Sequence, residues 1–420
     1  MTVRTTNTSG GSGVEEGRVS RWAASTRARE WRSDPPPAAV TAFHRTVPGY
    51  AVTRLVEVPA LAAELEVGRV LVKEESARFG LPAFKVLGVS WAVARVVLAT
   101  APDGAALHAE TADVTWDRVV AAARRVDLTL VTATDGNHGR ALAAVAARLG
   151  LGCRVLVPAV MTADAAGAIA AEGADVVRHA GTYDETVAAA ADDADDDPRA
   201  ALVQDTAWDG YEQVPGWIVE GYSTLLAEVD DVVAARDGDD PADGLRIDLT
   251  VVPTGVGSLA QAVVAWNRSR KGGAMTAEAD GAGNDGVGHA HRHRRAVLAA
   301  EPDTAACVTA SLRADERRSV ATAATVMAGL NCGTPSSLAW PVLARGLDAA
   351  VAVRDEEAVA AVADLAQVGI DAGASGAAAL AAARAALRGP DSPRRRAHLG
   401  IGPDATVVLL STEGRGREDA

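Results

Sequence analysis

The chain has 420 residues, 48% hydrophobic and 23% charged, enough to bury a large core in two or three domain-sized units. Its formal net charge of -14 disfavours a nucleic-acid footprint, which needs a dense basic face, and favours a small-molecule partner. No apolar stretch is long enough to suggest a membrane span, and the start lacks the apolar core of a secretory signal, so a cytoplasmic protein with no membrane partner is expected.

Three of the 41 basic residues are lysines: Lys73, Lys85 and Lys271. Arginine has been used wherever a plain cation sufficed. Each remaining lysine is therefore informative, because lysine loses its proton far more readily than arginine does. Cys153, Cys307 and Cys332 are widely separated and show no ligand spacing, so neither a disulfide framework nor a zinc site is indicated.

Residues 1–18 are rich in Gly, Ser and Thr without periodicity and read as a disordered tail. Val70–Lys73 is a β-branched run. After a Gly-Leu-Pro turn, apolar residues repeat at helical spacing from Lys85 to Leu98. The alternation returns with LTLVTAT, the loop DGNHG and the helical RALAAVAARLG. CRVLVP then leads into a helix from Thr162, and LTVVPTG into VGSLAQAVVAW. Strands alternating with helices predict parallel α/β sheets. The acidic run at 191–199 reads as a solvated surface, and 268–295 as a flexible insertion whose His289, His291 and His293 are weak metal candidates.

Three stretches carry chemistry. Lys85 lies between Phe84 and Val86 at the expected start of a helix, where apolar surroundings favour the neutral, nucleophilic amine over the cation. A snorkelling lysine at a helix edge is the competing reading. PTGVGSLA (253–260) closes a strand and opens a helix, so its amides can converge on a phosphate, although an ordinary tight turn has the same pattern. TATDGNHGR (132–140) gathers Asp135, Asn137 and His138 in one loop, more polar groups than capping alone requires.

Those three stretches, with VQDTAWDGYEQVPGWIVEGYSTL (203–225), Glu301-Pro302, GLNCGTPS (329–336) and STEG (411–414), resemble the fold-type-II pyridoxal-phosphate enzymes over residues 40–415. Within that family the combination is most similar to the diaminopropionate ammonia-lyase group. The resemblance implies a tryptophan synthase β-like fold: two parallel-sheet α/β domains with pyridoxal 5'-phosphate in the cleft. The larger domain is expected from 19–89 and 199–420, the smaller from 90–198. By the same resemblance Lys85 carries the cofactor as a Schiff base, with Phe84 in the cofactor site. Asn137 meets the phenolic oxygen; Gly255, Val256, Gly257 and Ser258 hold the phosphate; Ser411 or Thr412 faces the pyridine nitrogen. Asp135 and Asp205 are the implied bases, on opposite faces of the substrate.

The implied reaction is α,β-elimination of 2,3-diaminopropionate to pyruvate and ammonia, by a homodimer. Elimination or β-replacement on another β-substituted amino acid, or a catalytically silent binding paralogue, stay open. The sequence departs from the family pattern at Pro82, at Val89 and at IDAGA (370–374), where a GESGA-like motif is expected and Asp371 or Ala372 stands for Glu or Ser.

Overall fold

The computed structural model describes residues 21–29, 31–102, 114–134, 136–236, 246–269 and 295–415. The tail and nearly all of the expected insertion, including the three histidines and Lys271, lie outside the described residues, as does Asp135.

Among the described residues, eleven strands build two sheets. They are β1 (Trp22–Ala24), β2 (Leu55–Glu57), β3 (Arg69–Glu74), β4 (Thr129–Ala133), β5 (Gly152–Pro158), β6 (Asp175–His179), β7 (Ala200–Leu202), β8 (Leu249–Pro253), β9 (Ala296–Pro302), β10 (Ala349–Val353) and β11 (Thr406–Ser411). The larger sheet runs β1-β10-β9-β8-β11-β3-β2, parallel except for its antiparallel edge strands β1 and β2. The smaller sheet, β6-β5-β4-β7, is wholly parallel. Its edge strand β7 lies past residue 198, the expected boundary of the smaller unit.

The inner strands β8, β9, β10 and β11 are buried at every position, which is why they read as continuous apolar runs without alternation. The alanine-rich helix Ala374–Leu387 covers one face of the larger sheet. The helix Lys85–Thr100 is packed into the other core, with Val86, Leu87, Val89 and Trp91 almost wholly buried. Its start is clamped by the helix Gln213–Gly221. A Cβ on Gly221 would lie 2.5 Å from the Leu87 carbonyl oxygen, so only glycine permits this approach. The acidic run proves to be the end of the helix Tyr183–Asp196, which begins with a Thr182/Glu185 capping box; its Asp193 accepts two hydrogen bonds from Arg154.

The loop entering the Lys85 helix is anchored by four buried charges. Lys73 Nζ donates to Glu228 Oε2 at 2.6 Å and to the Thr53 carbonyl at 3.0 Å. Arg78 donates to both oxygens of Glu228, each at 2.7 Å, and to both oxygens of Glu75 at 2.8 and 2.7 Å. Two cations and two carboxylates thereby neutralise one another out of water. Arg148 adds a hydrogen bond to the carbonyl of Phe79, which sits at φ 53° in the turn before Lys85.

Candidate active site

Four loops leave the C-terminal ends of β4, β7, β8 and β11 and meet at one cavity between the sheets, of about 760 Å³ counting its open mouth. This is the crevice that parallel α/β sheets characteristically leave beyond their strand ends. The β4 loop brings Thr134, Asn137 and His138; the β7 loop brings Asp205; the β8 loop brings Thr254 to Ser258; the β11 loop brings Thr412 and Glu413.

Lys85, the first residue of its helix, lines this cavity with its side chain 21% exposed. Its Nζ lies 2.6 Å from Asp205 Oδ2 and 5.6 Å from the centre of the Phe84 ring. Phe84 in turn packs on the buried Tyr222, 4.8 Å between ring centres. Burial acts to raise the Asp205 pKa, but Lys85 and then His138 outweigh it and hold the carboxyl at about 2. Asp205 is thus an anion at neutral pH. Its loop is fixed from behind by Ser258, whose hydroxyl donates to the Asp205 carbonyl at 2.8 Å. His138 is buried beside the pair; its Nε2 meets the Val203 carbonyl at 2.8 Å and its Nδ1 lies 3.8 Å from Asp205 Oδ2.

At the β8 end, Gly255, Val256 and Gly257 turn the chain into the helix Ser258–Arg268. Gly257 caps that helix at φ +100°, a conformation L side chains rarely adopt, and a Cβ there would also press on Leu343 Cδ1 at 2.9 Å. A Cβ on Gly255 would meet Cys332 Sγ at 3.0 Å. The turn therefore presents bare backbone, and the first N–H groups of a helix have no intrahelical acceptor, which suits an anion. The Ser258 hydroxyl, expected to face a phosphate, is engaged with Asp205 instead.

The opposite wall is polar and half-buried. Asn137 Nδ2 donates to Glu413 Oε2 at 2.6 Å, and the Ser375 N–H donates to Glu413 Oε1 at 3.2 Å. Burial pushes the Glu413 carboxyl upward, and the donors from Ser375 and Asn137 offset only part of this. Thr412 lines the cavity beside it.

The structure brings Phe84, Lys85, Asn137, Asp205, Gly255, Val256, Gly257, Ser258 and Thr412 to this one cavity. Of the two hydroxyls considered for the pyridine nitrogen, Thr412 lines it and Ser411 does not; Ser411 Oγ is buried without a hydrogen-bond partner behind the wall. Asp135 lies outside the described residues. Thr134, Tyr183, Cys332, Ser375 and Glu413 line the cavity although sequence reasoning gave them no role. Glu413 and Cys332 stood inside quoted motifs, which was the available signal.

Neither Pro82 nor Val89 lines the cavity, and Val89 is wholly buried in its helix. The glycine-rich motif sought at 370–374 is better matched by Gly373-Ala374-Ser375-Gly376-Ala377, because Ser375 is the residue that faces the cavity. Asp371 instead accepts from the Arg415 side chain at 3.0 Å on the surface.

Residues 47–413 match the family model described as pyridoxal-phosphate dependent enzyme. The diaminopropionate ammonia-lyase of Escherichia coli (strain K12) is 32% identical over 378 residues, covering 89% of this chain and 86% of that protein. The crystal structure of the E. coli diaminopropionate ammonia lyase in complex with an aminoacrylate-PLP azomethine reaction intermediate superposes with a TM-score of 0.76 at 27% identity, over 94% of this chain and 93% of that one. A processed threonine deaminase isoform 2 from Solanum lycopersicum shares the fold, with a TM-score of 0.62 at 17% identity over 92% and 93% of the two chains.

Proposed function

The chain belongs to the pyridoxal-phosphate dependent enzymes of fold type II, and we propose that the reaction it catalyses with that cofactor is α,β-elimination of 2,3-diaminopropionate to pyruvate and ammonia. The observation that carries this is the Lys85 amine, 2.6 Å from a buried carboxylate, in a cavity that also holds a bare glycine turn at a helix N-terminus. The substrate follows from the 32% identity to the E. coli ammonia-lyase across most of both chains.

The residues present fit pyridoxal phosphate. On this reading the Lys85 amine would attach the cofactor, the backbone amides of the glycine turn would meet the phosphate, and Asn137, whose Nδ2 here donates to Glu413, would meet the phenolic oxygen. A neutral hydroxyl, that of Thr412, which lines the cavity, would face the ring nitrogen. When bound, the cofactor supplies a covalent anchor for the substrate amine and a sink for the electron pair left at the α-carbon. A hydroxyl in place of a carboxylate at the ring nitrogen moderates that sink, which suits elimination over transamination.

The protein's own part is proton handling and alignment. Asp205 holds the Lys85 ammonium while the amine is unreacted, and can accept a proton from the same side once Lys85 is engaged. We assign Asp205 to the α-proton of the L-isomer and Asp135 to that of the D-isomer, one base for each face. Phe84 and Tyr222 exclude water beside Lys85. The same proposal includes a domain division along the two sheets, a homodimer, which general base rates favour, and a cytoplasmic location. No helix among the described residues is long and apolar enough to cross a membrane.

Supplying the cofactor-loaded protein with diaminopropionate and, separately, with serine tests the substrate. Diaminopropionate should give two ammonia for each pyruvate. Turnover of serine with none of diaminopropionate would assign the chain to a dehydratase reaction.

A further inference from the structure

His138 is 4% exposed, stands on the helix Asn137–Leu149 and lies against Asp205, yet it has no part in the proton handling described above. Its protonation follows from its partners. The Val203 carbonyl can only accept, so the Nε2 that meets it at 2.8 Å carries the ring proton. In a neutral imidazole Nδ1 is then a bare acceptor. Nδ1 is buried without a hydrogen-bond partner, and Asp205 Oδ2, also an acceptor, lies 3.8 Å away. Two acceptors face each other out of water. Such an arrangement is unfavourable until one proton is placed between them, when both are satisfied.

We propose that His138 and Asp205 act as one proton-holding pair, in which the α-proton taken by Asp205 is shared with His138 Nδ1. This rests on the reading of Asp205 as a base. The α-C–H bond breaks with its electron pair left on the substrate, and an Oδ2–H bond forms. Closure of the 3.8 Å gap then lets that proton bridge to Nδ1, giving an imidazolium that donates to Val203 on one side and to the Asp205 carboxylate on the other. When the β-carbon–nitrogen bond breaks with its electrons on nitrogen, the departing amine takes the proton and leaves as ammonia, which restores both acceptors. His138 touches Asp205 rather than the substrate, so it is a positioning residue.

Lys85 controls the pair. Among the described residues, the charged groups acting on His138 are Asp205, from the β7 loop, which favours the imidazolium, and Lys85, from its helix, which opposes it; burial also opposes it and is the largest influence. Tyr222 and Tyr211, both buried near Asp205, are pushed well above their ordinary range by burial and stay neutral phenols, and Glu413, which also feels Lys85, is pushed upward by burial. With the Lys85 ammonium in place the pair has no need of a further proton. Once that cation is removed, Asp205 and His138 are left to share one.

Nitrogen-15 NMR of the full-length chain labelled at histidine tests this with His138 itself intact. In the cofactor-free wild type, where Lys85 is an ammonium, Nε2 should be protonated and Nδ1 unprotonated across the neutral range. In Lys85→Ala, Nδ1 should take up a proton within that range, and in Lys85→Ala/Asp205→Asn it should be bare again. Identical Nδ1 signals in the single and double variants, or a protonated Nδ1 in wild type, would overturn the pair whatever the enzyme's substrate proves to be. In the loaded enzyme, His138→Asn should lower kcat by about tenfold, below the ~10²–10⁴ of a general base itself, with KM unchanged and the acidic limb of the pH profile displaced. A fall in kcat with that limb unmoved would mark His138 as merely structural. If His138→Asn does not fold, the NMR comparison still decides, because it leaves that residue in place.

Discussion

Lys73 and Lys85 stand twelve positions apart, and each has its Nζ 2.6 Å from a carboxylate oxygen, yet they do opposite things. Lys73 is wholly buried in a strand, and its partner Glu228 is held on both oxygens by Arg78 as well. Lys85 starts a helix, is 21% exposed, and opens on a cavity. Burial alone therefore does not make a lysine reactive. What distinguishes Lys85 is a single-sided carboxylate, a neighbouring space for a reactant, and a loop that Arg78 and Lys73 hold rigid from below. On the proposed reading, the buried network is the scaffold of the reactive lysine.

The largest expected effect separates the two directly. Lys85→Ala should remove covalent cofactor attachment and turnover altogether while leaving the unfolding midpoint near that of wild type. Lys73→Met should do the reverse: breaking a buried ion pair destabilises by about 3–5 kcal/mol, read by urea unfolding, while the protein that remains folded still attaches cofactor. If Lys73→Met loses attachment at full stability, the division of labour between the two lysines is wrong.

Next in size are the bases. Asp205→Asn should lower turnover of L-diaminopropionate by ~10²–10⁴-fold while sparing much of the D-isomer, and Asp135→Asn the converse, since an amide keeps the shape and deletes the base. Kinetics on the pure enantiomers check this; equal losses on both would refute the two-face assignment.

Smaller still is the glycine turn. A side chain at Gly257 must adopt φ +100° and displace Leu343, at a cost of about 1–2 kcal/mol for the backbone alone, so Gly257→Val should weaken cofactor binding by roughly tenfold or more. Equilibrium dialysis measures it. Unchanged retention would place the phosphate elsewhere.

The smallest effect concerns a second buried carboxylate. Glu301 accepts from the Val308 N–H and from the N–H and hydroxyl of Thr309, all at 2.7 Å, but burial outweighs these and raises its carboxyl to about 7 from the ordinary 4.5. The folded state thus holds this proton more tightly than the unfolded chain. Its stabilising contribution is complete below about pH 4.5 and is lost as pH rises through about 7. Glu301→Gln should flatten that decline, which unfolding midpoints at about pH 5 and about pH 8 would detect. A wild-type slope matching the variant's would show that Glu301 is ionised throughout.

Much of this was legible in the sequence where apolar contrast is strong. β3, β4, β5, β8 and β11 and the helices after Gly80, Gly136 and Gly257 follow from runs such as LTVVP broken by glycine turns. The alanine-rich segments were harder. AAVAV is a fully buried strand and ASGAAALAAARAAL a buried helix, and alanine, with one methyl group, supplies neither β-branching nor an amphipathic stripe to tell them apart. The same monotony let the glycine motif slip by three residues, from Gly373-Ala374-Ser375 to Ile370-Asp371-Ala372. Of the site, the groups whose chemistry is local, Lys85 and the glycine turn, were readable. Glu413 was not, because its meaning comes from Asn137, 276 residues away in the chain.

The central claim is that Lys85, and not the equally carboxylate-bound Lys73, is the residue that reacts. Borohydride reduction of the cofactor-loaded protein followed by peptide mass analysis tests it most directly. The adduct should fall on the peptide containing Phe84-Lys85-Val86, with Lys73 unmodified. An adduct on Lys73 or Lys271 would contradict the account.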